Sequence, residues 1–147
     1  MKERRSPHRT QFAAQFAVAS ELCRLGYEVA LAQGNQPTFD LMVISPAKKH
    51  FGIDVKGLYK KTYWPVRPQE PRSDLFYVFA FVPDEGTTQF FVLSQEKVNE
   101  GIRQNRERAH ASAIAKGRGE DKVGLFPCVS WEFVQPWKDK WKEVLPG

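Results

Sequence analysis

The chain has few of the residues that would tie it to a disulfide scaffold, a zinc site or a membrane. It carries two cysteines, Cys23 and Cys128. They show no CxxC spacing, so neither a disulfide framework nor a zinc site is indicated, and both read as reduced intracellular thiols. The three histidines, His8, His50 and His110, lack ligand spacing as well. No apolar run approaches the roughly 20 residues of a membrane-spanning helix. The charged start, MKERRSPHRT, is not followed by an apolar segment. A secretory signal is therefore not expected, and a cytoplasmic location is. Internal repeats and low-complexity tracts are absent too.

Acidic residues are also in deficit: 17 Asp and Glu face 22 Lys and Arg, a formal charge of +5. That balance favours a polyanionic partner such as nucleic acid. What is present is a globular composition, with 41% hydrophobic and 13% aromatic residues, which argues against disorder. A length of 147 residues suits a single domain, 1–147, with its own core.

Periodicity divides the chain into elements. TQFAAQFAVASELCRLGY reads as a helix with Thr10 as N-cap and Gly26 as the stopping glycine. At 100° per residue, Phe12, Gln15, Phe16, Ala19, Leu22 and Cys23 form its core-facing stripe, with Glu21 opposite. EVALA (28–32), FDLMVIS (39–45) and FGIDVKG (51–57) follow as strands, separated by QGNQPT and PAKKH. LYKKTYWPVRPQEPRS holds three prolines and reads as a long loop. LFYVFAFV (75–82) is apolar without alternation, as in a central strand covered on both faces. QFFVLS (89–94) is a further strand. A polar helix runs from Ser94 to about Lys116, with Val98, Ile102, Ala109 and Ala113 as its apolar stripe. GRGEDKVG is a loop, and a tail with three of the four tryptophans ends in a short helix. This order predicts a mixed α/β (α+β) fold.

Within GIDVKG, Asp54 and Lys56 project to one side, about 7 Å apart along the strand. If the neighbouring strands form a hairpin around PAKKH, a symmetric register pairs positions summing to 96. Asp40 then faces Lys56, and Asp40, Asp54 and Lys56 share one face. Leu41, Val43, Ile53 and Val55 share the other. Two carboxylates so placed can grip one divalent ion, Mg²⁺ or Mn²⁺, and a cation there would polarise a phosphodiester and activate water. Lys56 would orient that water or neutralise charge developing on the phosphate. The plain alternative is a solvated ion pair on a strand face.

A helix, then an Asp opening a strand, then D-x-K closing the next resembles the PD-(D/E)XK nucleases, which include restriction endonucleases, Holliday-junction resolvases and repair nucleases. Residues 10–58 carry the resemblance, including the phrase ASELCRLGYEV. It implies a restriction endonuclease-like core, a mixed β-sheet flanked by helices, and cleavage of DNA with Mg²⁺ (or Mn²⁺). It also implies Asp40 and Asp54 as metal-binding acids, Lys56 as the catalytic lysine, and the Val55 carbonyl as a further metal ligand. Many members carry a Glu on the first helix. Gln15, counted seven back from Leu22, stands at that position here and offers a neutral oxygen.

Lys48, Lys49, Lys60, Lys61, Arg103 and Arg106 are candidates for phosphate contacts, as are Lys2, Arg4, Arg5 and Arg9. Tyr59, Tyr63 and Trp64 either stack on bases or pin their loop to the sheet. Trp131, Trp137 and Trp141 pack on the core or form a subunit contact, with 137 and 141 on one helix face. Two other readings stay open. One is a catalytically inactive nuclease fold that binds nucleic acid. The other is a protein-interaction module using the tryptophan tail. The expected partner is nucleic acid, DNA in particular, with a homodimer as a further possibility.

Overall fold

The computed structural model describes residues 4–32, 39–117 and 126–147. QGNQPT and, beyond Gly117, GRGEDKVG lie outside the described residues, as does Lys2.

The first helix, α1, spans Pro7–Arg24. It begins earlier than Thr10: Ser6 Oγ accepts the Arg9 N–H at 3.2 Å, and Pro7 follows where its missing N–H is no loss. Gly26, at φ 96°, ends it as expected. Its N–H donates to Cys23 O and that of Tyr27 to Leu22 O, a Schellman closure. The buried face corrects the expected stripe. It consists of Thr10, Ala14, Val18 and Leu22, while Phe12 and Phe16 are 42% and 54% exposed. Gln15 is half-buried beside that face.

Among the described residues seven strands follow: β1 (Glu28–Leu31), β2 (Leu41–Ile44), β3 (His50–Leu58), β4 (Tyr63–Pro65), β5 (Leu75–Phe81), β6 (Gln89–Ser94) and β7 (Cys128–Ser130). Five make one mixed sheet in the order β1-β2-β3-β5-β6, with only β3 and β5 parallel. β4 pairs with β7, so the expected long loop contains a strand. Fully buried Trp64 anchors it, stacked on Trp131 at 5.7 Å and edge-on to Phe79 at 5.4 Å. The mixed α/β class is as expected.

Alternation separates two cores. Val55, Ile53 and Phe51 pack beneath α1 with Val78, Val92 and Trp141. On the other face Tyr77, Phe79, Phe91 and Leu93 lie under Trp64 and helix α2, Gln95–Ala115. α3 (Trp131–Val134), a 3-10 turn at Gln135–Trp137 and α4 (Trp141–Val144) complete the chain. The tail crosses the free edge of β6 through a Phe91–Lys138 bridge. Trp137 therefore packs on one face and Trp141 on the other, not on a single helix face. This bridge also covers the edge strand against unwanted pairing.

Candidate active site

β2 and β3 form the expected hairpin, shifted by two residues. The turn closes on Ile44 and His50, so Leu41 lies opposite Ile53 and the paired positions sum to 94. Ser45 causes this: its N–H and carbonyl pair with Lys49 O and Lys48 N–H, and its Oγ accepts the Lys49 N–H at 3.0 Å. Lys48 takes a left-handed φ of 67°. An even shift keeps every side chain on its expected face. Leu41, Val43, Ile53 and Val55 all enter one core. One step beyond the last ladder pair, the Asp40 N–H donates to Ile53 O at 2.9 Å, and the Asp40 carboxylate lies near enough to Asp54 for the two charges to interact.

The ladder ends there, and side chains take over its bonds. Asp40 Oδ2 accepts the Val55 N–H at 2.7 Å. The Gln11 amide then bridges β3: Nε2 donates to Val55 O at 2.7 Å and Oε1 accepts the Gly57 N–H at 3.3 Å. Gln11 thus acts as a short substitute strand. It is Gln11, one turn before Gln15, that α1 extends to the D-x-K segment. The glycines framing that segment have separate reasons. A Cβ on Gly57 would lie 2.9 Å from Ala14 Cβ and 3.0 Å from Thr10 O, and one on Gly52 would lie 2.8 Å from the Phe39 ring. Gly57 lets α1 approach closely enough for Gln11 to reach, and Gly52 leaves room for Phe39 beside Asp40.

Asp54 and Lys56 face the second core side, where the parallel register sets Asp54 beside Tyr77. Lys56 Nζ lies 3.2 Å from Asp54 Oδ1. That oxygen is buried, and the ammonium is the positive charge that faces it. Burial raises the Asp54 carboxyl to about 6, with the Asp40 charge adding to the rise and Lys56 opposing it. Asp40 is also raised by burial, against the Val55 N–H and Lys56. Burial and the Asp54 charge push the Tyr77 hydroxyl up to about 12. Two carboxylates held close in a poorly solvated place favour a positive charge between or beside them, and Lys56 supplies one here.

The donors suit a hard divalent ion, being carboxylate and carbonyl oxygens. Val55 O has one lone pair engaged by Gln11 and one remaining. Among the described residues no group of three His, Cys, Asp or Glu side chains gathers. The acidic donors here are thus Asp40 and Asp54. Asp54 and Lys56 open into a cleft of about 280 Å³ lined also by Arg67, Gln69, Tyr77 and Phe126.

The basic candidates scatter. Lys48 and Lys49 sit in the β2–β3 turn, about 25 Å from Lys56 by strand rise. Lys60 and Lys61 directly follow β3, with Lys60 over the Tyr59 ring at 5.4 Å and Lys61 over Trp131 at 5.2 Å. Arg103 and Arg106 are exposed on α2, and Arg106 shares a crevice with Phe126. Arg5 is engaged by Val82 O and Asp84. Sequence reasoning missed Gln11, Arg67, Tyr77 and Phe126. Only Gln11 had a signal, its i,i+4 spacing from Gln15.

The fold is thus a mixed α/β sheet carrying two acids and a lysine at the end of a hairpin. The chain matches no family model and no curated protein. Among solved structures it is similar to a bacterial homing endonuclease, I-Ssp6803I, with 17% identity and a TM-score of 0.49 over 63% of this chain and 68% of that one. Its chemistry has to be read from the side chains. No helix among the described residues is long and apolar enough to cross a membrane.

Proposed function

We propose that this protein is a divalent-metal-dependent nuclease of the PD-(D/E)XK type that hydrolyses DNA phosphodiester bonds. The observation that carries this is the pairing of Asp54 Oδ1 with Lys56 Nζ at 3.2 Å, at a carboxyl that burial raises to about 6 and that lies next to a second raised carboxyl, Asp40. Asp40, Asp54 and the free lone pair of Val55 O would hold Mg²⁺ or Mn²⁺. Such an ion supplies Lewis acidity toward a phosphoryl oxygen and lowers the pKa of water. Lys56 neutralises charge that builds on the phosphate and orients the attacking water, its ammonium kept in place by Asp54. Gln11 holds the β3 backbone so that Val55 O stays at the site. Asp40 does the same through the Val55 N–H.

The test is cleavage of DNA by the wild-type chain with Mg²⁺ or Mn²⁺, beside Asp54→Asn. Metal-dependent cleavage lost in the variant is expected. No cleavage by the wild type with either ion would overturn the reading. A second reading, a nuclease fold that binds DNA without cutting it, is favoured by one observation. The side chain that α1 extends to β3 is an amide occupied by two backbone bonds, not an acid. Calorimetry separates the two, since the silent protein shows no Mg²⁺ or Mn²⁺ binding that depends on Asp40 and Asp54.

A further inference from the structure

The cleft beside Asp54 and Lys56 has two more features. Arg67 is exposed there, and among the described residues no hydrogen bond or ion pair engages its guanidinium. Phe126 is 70% exposed, although it lines both this cleft and the crevice of Arg106. A bare phenyl ring on a soluble surface leaves apolar area in water, and this one stands between cationic side chains. Phe126 thus lines both depressions, one holding Arg106 and the other Arg67, Lys56 and Asp54, so that an exposed aromatic ring is shared by two sites with cationic walls. Charge at phosphate positions with a π-face between is the chemistry that recognises an unstacked nucleotide. A paired, stacked base in duplex DNA does not offer its face to a protein ring.

Resting on the nuclease reading for the role of the neighbouring acids, we propose that this cleft takes one unpaired nucleotide of DNA. Phe126 stacks on the base, and Arg67 binds a phosphate next to the one at Lys56. The favoured substrate is therefore single-stranded DNA or a strand with a splayed nucleotide, not an intact duplex. Arg67 and Phe126 are specificity residues, as distinct from the acids and lysine that face the reacting phosphate.

The experiment measures binding of the whole protein to a short single-stranded oligonucleotide carrying a fluorescent adenine analogue, and to its blunt duplex, without added metal. Binding should change the emission of the analogue in the single strand and favour that strand over the duplex. Phe126→Ala should weaken single-strand binding about tenfold and leave the duplex unaffected. Phe126→Trp should retain it. Arg67→Gln should weaken binding to both and lower the salt slope by about one. An unchanged melting temperature for Phe126→Ala, expected for so exposed a side chain, keeps misfolding out of the comparison. A wild type that prefers the duplex, or a Phe126→Ala variant that binds the single strand as the wild type does, overturns the proposal. Metal-dependent cleavage by the same samples reports separately. Cleavage without the single-strand preference sinks only this proposal. The preference without cleavage supports it and sinks only the nuclease reading.

Discussion

The carboxylate of Asp40 accepts the backbone N–H of Val55 at 2.7 Å, closing the β2–β3 ladder with a side chain. One residue thus both completes the end of the β2–β3 ladder and brings its charge next to Asp54.

These two roles separate by mutation. Asp40→Ala leaves a half-buried N–H without its partner and should cost about 1–3 kcal/mol. Asp40→Asn keeps an acceptor and should recover most of that loss. Both should lose Mg²⁺ binding. Denaturant unfolding and calorimetry on the pair check this, and Mg²⁺ affinity retained in Asp40→Asn would remove Asp40 from the metal site.

Asp54 ties stability to pH. Its folded carboxyl titrates near 6, above the ordinary 3.8, so the native state holds a proton that the unfolded chain releases. The Asp54 contribution to metal-free stability should be fully present below pH ~4, fall as pH rises to ~6, and level off above. Asp54→Asn should reduce this slope, leaving the part that the raised Asp40 contributes, and stabilise the protein at pH 7.5 by roughly 2–3 kcal/mol, with little effect at pH 4. Mg²⁺ should act oppositely, its affinity rising with pH to a plateau above ~6. Urea titrations at both pH values decide; a wild type without the slope would refute a raised Asp54.

Lys56→Ala should reduce cleavage to background while metal binding persists. With its counter-charge gone, Asp54 should titrate higher, moving the pH edge of metal binding upward. Full activity in this variant would show that the lysine has no part in the chemistry.

Gln11→Ala removes partners from Val55 O and Gly57 N–H, and a loss of about 1–3 kcal/mol is expected. Gln15→Ala should stay within about 0.5 kcal/mol. Equal effects in thermal unfolding would mean that the two glutamines share the task.

Much of this was legible in local pattern. Period-two alternation in GIDVKG placed Asp54 and Lys56 on one face, where they pair, and an even difference in the β2–β3 register left Leu41, Val43, Ile53 and Val55 in one core. The unbroken apolar run of β5 marked a strand covered on both sides. Gly26 stopped α1 for the local reason that a left-handed φ suits glycine.

The face of α1 was not legible. The helix offers two apolar stripes, and the one with the phenylalanines looked more hydrophobic. The closeness of α1 to β3 at Gly57 selects the stripe of small residues instead. That same rotation presents Gln11, not Gln15, to β3. The β4–β7 ribbon, the crossing of the tail over β6 and the cleft that joins Arg67 and Phe126 to Asp54 all depend on residues far apart in the chain. Alternation and glycine conformation are properties of a short peptide, so the sequence alone determined them. Which helix face goes inward, and which side chains share a cleft, depends on how closely distant segments pack, and only the tertiary structure decided that.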